Sequence, residues 1–272
     1  MKKLLALTMA LLMVAGLFVG CGDKAEEAAD YSVSVADANI VAEAGSAGEE
    51  LATGEEFFKD ANFTPVDSMA KALMEVSAGT ADIAIVDYVT SIGSIGDGTD
   101  FADLKVVEGK DFSPEEYGIA FRKGSDTTEA VNKAIAELMA DGTMDKIGAE
   151  YKLDKLLIKD GKANESEVKA GDLAYIKEKG EMIIGITLFA PMNYYNDKNE
   201  LVGFETEFAK AVCEKLGVKA KFVEINWDAK EVELESKNID CIWNGMTITD
   251  ERLANMSISV PYMQNKQVMV SK

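Results

Sequence analysis

Short apolar runs alternate with helical patterns along most of this chain, and that alternation restricts it to α/β packing. "NIVAEAGSAGEELA" predicts a strand through Glu43, a turn at Gly45 and a helix opening at Ser46. "FTPVDSMAKALMEVSAGTADIAIVDYV" predicts a strand, a helix from Ser68 to Val76 and a buried strand from Ile83 to Val86. "EEYGIAFRKG" alternates like a strand, and the helix "DTTEAVNKAIAELMADG" follows with Asp126 as its cap. Residues 152–172 lose the periodicity and gain charge, which marks a linker. The pattern then restarts with "EMIIGITLFAPMNYY", "GFETEFAKAVCEKLG", "KAKFVEI", "AKEVELESKN" and "IDCIWNG", and "NKQVMVSK" is again strand-like.

Ahead of this alternation, "MKKLLALTMALLMVAGLFVGCG" has a basic start, an apolar run from Leu4 to Val19 and small residues before Cys21. These features describe a secretory signal peptide over residues 1–20, too short and wrongly flanked for a membrane span. "FVGC" is similar to the lipobox of bacterial lipoproteins. Cys21 is then the lipidation site, and residues 21–38 form a solvated tether to the membrane; ordinary cleavage with Cys21 incidental is the plainer alternative.

Composition removes whole classes of chemistry. The 272 residues contain no histidine, so His-based triads, His general bases and the usual zinc sites are excluded, and neither a metal nor a cofactor is expected. Lys and Arg number 28 against 48 Asp and Glu, a formal charge of −20 with no basic cluster, which argues against nucleic acid as a partner. Cys213 and Cys241 fall in helical and strand patterns and read as free core thiols rather than a disulfide.

Two helix openings follow glycine. In "AEAGSAGEE", Ser46 and the backbone N–H of Ala47 lie at a helix N-terminus; in "NGMTITDER", Thr247 precedes Arg252 by five residues. Free N–H groups, hydroxyls and a guanidinium suit a carboxylate, although Ser46 serves equally as a plain cap and Arg252 as a surface ion-pair partner. Asp87 ends an apolar strand, where it either caps the next helix or meets an ammonium group. Phe189 and Trp227 follow strands of the second half and belong to the core or to a ligand-binding wall. Assembled, these residues make an amino-acid site.

On "IGITLFAPMNYYNDKNELVGFETEFAKAV", "IDCIWNGMTITDERLANMSISVPYMQNKQVMV", "VAEAGSAGEE", "GTADIAIVDYV" and "EEYGIAFRKGSD", the chain resembles the amino-acid-binding lipoproteins of bacterial ABC importers, solute-binding family 3. The resemblance implies a type II periplasmic-binding-protein-like fold: two α/β lobes, each a mixed sheet flanked by helices, closing over a ligand. It implies that Arg252, Thr247 and Ser46 hold the α-carboxylate, and that Asp87 and the Gly245 carbonyl hold the α-ammonium. Phe189 and Trp227 would flank the side chain, with Glu43 and Asn244 near its tip. Glu43, facing the pocket, would favour a cationic or amide side chain, arginine or lysine ahead of glutamine, and the partners would be the membrane subunits of an importer. An enzyme of the dehydratase kind on the same scaffold and a sensing module are the alternatives.

The order of segments differs from the family's. The family begins with the segment found here from about Asp172 onward and builds its second lobe from "NIVAEAGSAGEE". The chain therefore resembles a circular permutant, with lobe two at 39–116 and lobe one at 117–272. Residues 152–172 would join the family's usual C- and N-termini. A monomer binding one ligand is the expectation.

Overall fold

A computed structural model describes residues 35–164, 168–169 and 171–272. The expected signal peptide, Cys21 and the tether up to residue 34 lie outside the described residues. Val35 and Ala38, counted with the tether from sequence, already pack against the core of the first lobe.

That lobe, the expected lobe two, is built from β1 (Asn39–Glu43), α1 (Ala47–Gly54), β2 (Asn62–Val66), α2 (Met69–Ala78), β3 (Ile83–Asp87), α3 (Tyr88–Ser94) and β4 (Lys105–Val106). β1 pairs in parallel with both β2 and β3. Every residue of β3 is buried, which is why its sequence is a continuous apolar run rather than an alternation. Ser68 caps α2 by accepting from the Lys71 N–H at 3.1 Å. Met69, Ala72, Leu73 and Val76 then line its inner face at helical spacing.

β5 (Pro114–Arg122) carries the chain into the other lobe. There follow α4 (Thr127–Ala140), α5 (Thr143–Glu150), α6 (Asp172–Lys179), β6 (Glu181–Ile186), the short β7 (Tyr194–Tyr195) and β8 (Leu201–Val202), and α7 (Phe204–Leu216). β9 (Lys219–Glu224), α8 (Lys230–Glu235), β10 (Cys241–Thr247), α9 (Asp250–Asn255) and β11 (Met256–Ile258) complete it. β6 pairs in parallel with β9 and β10, and β10 pairs antiparallel with β5. Trp243, Phe204, Phe208 and Tyr262 pack ring to ring in its core. Burying each such ring contributes about 1.5–3 kcal/mol. Cys213 and Cys241 are both free and buried there.

The last strand, β12 (Met263–Ser271), belongs to both halves. Met263–Lys266 pair antiparallel with Tyr117–Pro114 of β5, and Gln267–Val270 pair antiparallel with Asp87–Ala84 of β3. The strands therefore run β2-β1-β3-β12-β5-β10-β6-β9 across the molecule, and β5 and β12 together bridge the two lobes.

The charged stretch after α5 is more than a spacer. Leu153 and Ile158 are buried, and the Ile158 N–H donates to the Tyr262 carbonyl at 2.9 Å, beside the start of β12. Asp126 does not cap α4, as the sequence predicts. Its backbone is already helical, and its carboxylate accepts instead from the N–H groups of Gly171 (3.0 Å) and Leu173 (2.8 Å), at the opening of α6.

Candidate functional site

In open α/β sheets, the ends of adjacent strands leave a crevice at their carboxyl edge. Here the carboxyl ends of β1, β3, β6 and β10 all meet at the seam between the lobes, and they deliver the residues singled out from sequence. β1 ends at Glu43 and turns through Gly45 into α1, where Ser46 accepts from the Glu49 N–H at 3.2 Å as an ordinary cap. β10 ends at Thr247, and Thr249 caps α9 by accepting from the Arg252 N–H at 3.2 Å. That cap aims Arg252 inward: the residue is 4% exposed, although the Glu50 it pairs with is half exposed. Its guanidinium donates to the Thr247 carbonyl (2.9 Å) within its own lobe, and reaches across the seam to Glu50 (3.0 Å) and the Gly45 carbonyl (3.4 Å).

Asp87, the last residue of β3, does not cap α3. Its carboxylate accepts from the Tyr117 hydroxyl at 2.7 Å, from the Asn265 amide at 3.1 Å and from the Gln267 amide, all carried by the two bridging strands. Glu115 accepts from the same two amides, at 2.9 and 3.0 Å, and from Thr247 at 3.1 Å. Burial, reinforced by the neighbouring Glu115 charge, pushes the Asp87 carboxyl up to about 7. Burial also pushes Glu205 up to about 7, although it accepts from the Gly245 N–H at 2.8 Å and from the Tyr262 hydroxyl. Glu43 is pushed furthest, to about 8, by burial and then by the Asp87 charge, against the opposing pull of Lys230. One oxygen of Glu43 and one of Glu205 are buried without a hydrogen-bond partner. The seam thus gathers carboxyl groups that hold protons near neutrality.

Phe189 and Trp227 are both buried. Phe189 packs at Gly245, which adopts φ +53° where the register of β10 shifts; a Cβ there would fall 3.0 Å from the Phe189 ring. Asn244 is fully engaged within its own lobe, donating to the Thr187 carbonyl (2.8 Å) and Asn193 (2.9 Å) and accepting from the Thr187 hydroxyl (2.7 Å). A cleft of about 600 Å³ opens at one side of the seam, between Ala47, Glu50 and Leu51 of α1 and Glu115, Thr247 and Thr249 opposite. It takes in Ala47 and Thr247; Asp87, Glu43 and Trp227 are buried away from it, and Phe189 lines a separate cavity of about 260 Å³ beside Leu188, Ala190 and Tyr194.

Tyr117, Glu115, Asn265, Gln267, Glu205 and Lys230 were not foreseen. The first four sit on β5 and β12, and only the pairing of those strands turns them toward Asp87. Glu205 and Lys230 open helices whose charged residues read as solvent-facing.

Two α/β lobes joined by a pair of bridging strands, with the charged residues of both turned into the seam, define a type II periplasmic-binding-protein architecture. Residues 182–272 match the bacterial extracellular solute-binding proteins, family 3. The chain is 35% identical over 114 residues to the L-cystine-binding protein TcyJ of Escherichia coli (strain K12), covering 41% of this chain and 43% of that protein. It is 31% identical over 84 residues to the ABC transporter arginine-binding protein 1 of the same organism, covering 31% and 35%. The chain thus spans less than half the length of these curated relatives. Among solved structures, domain 1 of an arginine-binding protein from T. maritima, in its arginine-bound form, is 32% identical over 37% of this chain and 84% of that one, with a TM-score of 0.33.

Proposed function

We propose that this protein captures a free amino acid between its lobes, outside the cytoplasmic membrane, and presents it to the membrane subunits of an ABC importer. The observation that carries the reading is the pair Arg252 and Asp87, groups of opposite charge buried on the two sides of one seam, one in the first turn of α9 and the other at the end of β3. Such a pair suits a zwitterion. The α-carboxylate takes the place of Glu50 on the Arg252 guanidinium, with Thr247, Ser46 and the Ala47 N–H beside it; Glu50 is free to leave, because its side chain is 54% exposed. The α-ammonium goes to Asp87 and the Gly245 carbonyl, which restores the charge that burial opposes. The similarity to cystine- and arginine-binding proteins supports the amino-acid class. Anchoring through a lipid on Cys21, a monomeric state and the permuted segment order belong to the same reading.

A thermal-shift panel of the twenty amino acids tests it, since a ligand that binds only the folded state raises the melting temperature. Calorimetry on Arg252→Ala and Asp87→Ala should then show affinity lost by about 2–5 kcal/mol, roughly 30-fold to several thousand-fold, in proteins that remain folded. Either variant binding within about threefold of wild type removes that residue from the site. A second reading, a dehydratase-like enzyme, draws on one observation: Glu43 keeps its proton up to about 8 and is placed to act as a buried acid. Product formation from a bound ligand, absent in Glu43→Gln, would favour it over stoichiometric binding.

A further inference from the structure

Lys230 opens α8 directly after the turn that carries Trp227. Its sequence context is that of a solvated helix, and nearby Val232 is 68% exposed, so water was within easy reach. Yet Lys230 is 6% exposed. Its ammonium points into the seam, donates to the Gly45 carbonyl of the opposite lobe at 2.9 Å and stands 5.1 Å from the centre of the Trp227 ring. Arg252 donates to the same Gly45 carbonyl from the other side. Asp228, Glu231 and Glu50 supply the negative charge around Lys230, and Glu43 feels its attraction from within the seam. Burying an ammonium on a single carbonyl and one ring face is costly unless the position serves something.

Two features suit a cationic ligand side chain, the aromatic face of Trp227 and the Glu43 carboxyl once it ionises. Lys230 stands over the first and draws the second toward ionisation through its charge. We propose that Lys230 fills the cation subsite of the clamp with the chain's own ammonium, so that the site rejects cationic side chains and takes an amino acid ending in an amide or carboxylate. A guanidinium brought to the Trp227 face would meet Lys230 there and Arg252 behind it, two like charges in a poorly hydrated seam. An amide or carboxylate oxygen reaching the same place accepts from the ammonium instead. Of arginine, lysine and glutamine, only glutamine fits, and glutamate joins it. This inference rests on the amino-acid reading above and names its side-chain class.

Calorimetry on the purified full-length chain with L-glutamine, L-glutamate, L-arginine and L-lysine tests it. Wild type should bind one of the first two at least about tenfold more tightly than either cationic amino acid. Lys230→Met and Lys230→Gln should shift that ratio toward arginine by about tenfold or more, Lys230→Arg should keep the wild-type order, and Lys210→Met, which removes an exposed lysine, should change nothing. A wild type that prefers arginine or lysine overturns the inference, as does a ratio that moves by less than about threefold in both Lys230→Met and Lys230→Gln. No binding of any of the twenty amino acids overturns the amino-acid reading, and this inference with it.

Discussion

Glu43 holds its proton in the folded protein up to about 8, whereas an ordinary glutamate releases it near 4.5. Between those values the folded chain binds a proton that the unfolded chain has given up, so stability from this group is complete below about 4.5 and drains away as pH rises through 8. Asp87 and Glu205, both held to about 7, act in the same direction. Stability against urea should therefore decline between pH 5 and pH 8, on the order of a few kcal/mol. Glu43→Gln, which keeps the shape and carries no proton to lose, should remove a clear part of that slope. An identical slope in the variant would place the buried carboxyl load elsewhere. The burial of Asp87 was legible because a charge at the end of an apolar strand has few places to go, and that of Arg252 because its helix opens directly after a buried strand. Lys230 was not, because a lysine among Glu231, Glu233 and Glu235 reads as a wet helix face, and only the turn at Trp227 aims it inward.

At the scale of elements, periodicity found the helices and strands well, since continuous apolar runs and helical spacing follow from burial. Capping was read less well where it is not local. Asp126 stands immediately before α4 and follows the usual pattern, but its carboxylate serves the start of α6, 45 and 47 positions along the chain. Asp126→Ala should therefore loosen the junction at residue 171 while leaving α4 intact. A loss of about 1 kcal/mol is expected, a melting-temperature decrease of roughly 2–4 °C. Hydrogen exchange gives the sharper check: amides of α6, not those of α4, should lose protection. The linker itself was half legible. Its charge was visible in the sequence, while the burial of Leu153 and Ile158 depends on Tyr262 and β12, far away in the chain.

For the whole molecule, the lobes also meet away from the charged seam, where Gly93 of α3 lies against the Ala190–Pro191 backbone. A Cβ at Gly93 would lie 2.6 Å from the Pro191 nitrogen and 2.7 Å from the Ala190 carbonyl carbon. Neither is the movable end of a side chain, so Gly93→Ala should hold the lobes slightly apart without touching any charged residue of the site. Ligand affinity should fall by about tenfold or more, because only the fraction of molecules able to close can bind fully. Small-angle scattering should show a more extended particle with ligand present, and the core of each lobe should keep its stability. Unchanged affinity and scattering would mean that closure does not require this contact.

The sharing of β12 between the lobes also sets an order of events during synthesis. Gln267 pairs with Asp87 across 180 positions of chain, and translation at about 5–20 residues per second separates the two by roughly ten seconds or more. Until β12 arrives, β3 can pair with β1 but has no partner on its other edge. The half that is made first is thus the half that waits longest for its sheet to be completed. Its open β3 edge is where a chaperone, or a neighbouring unfinished copy, would find it.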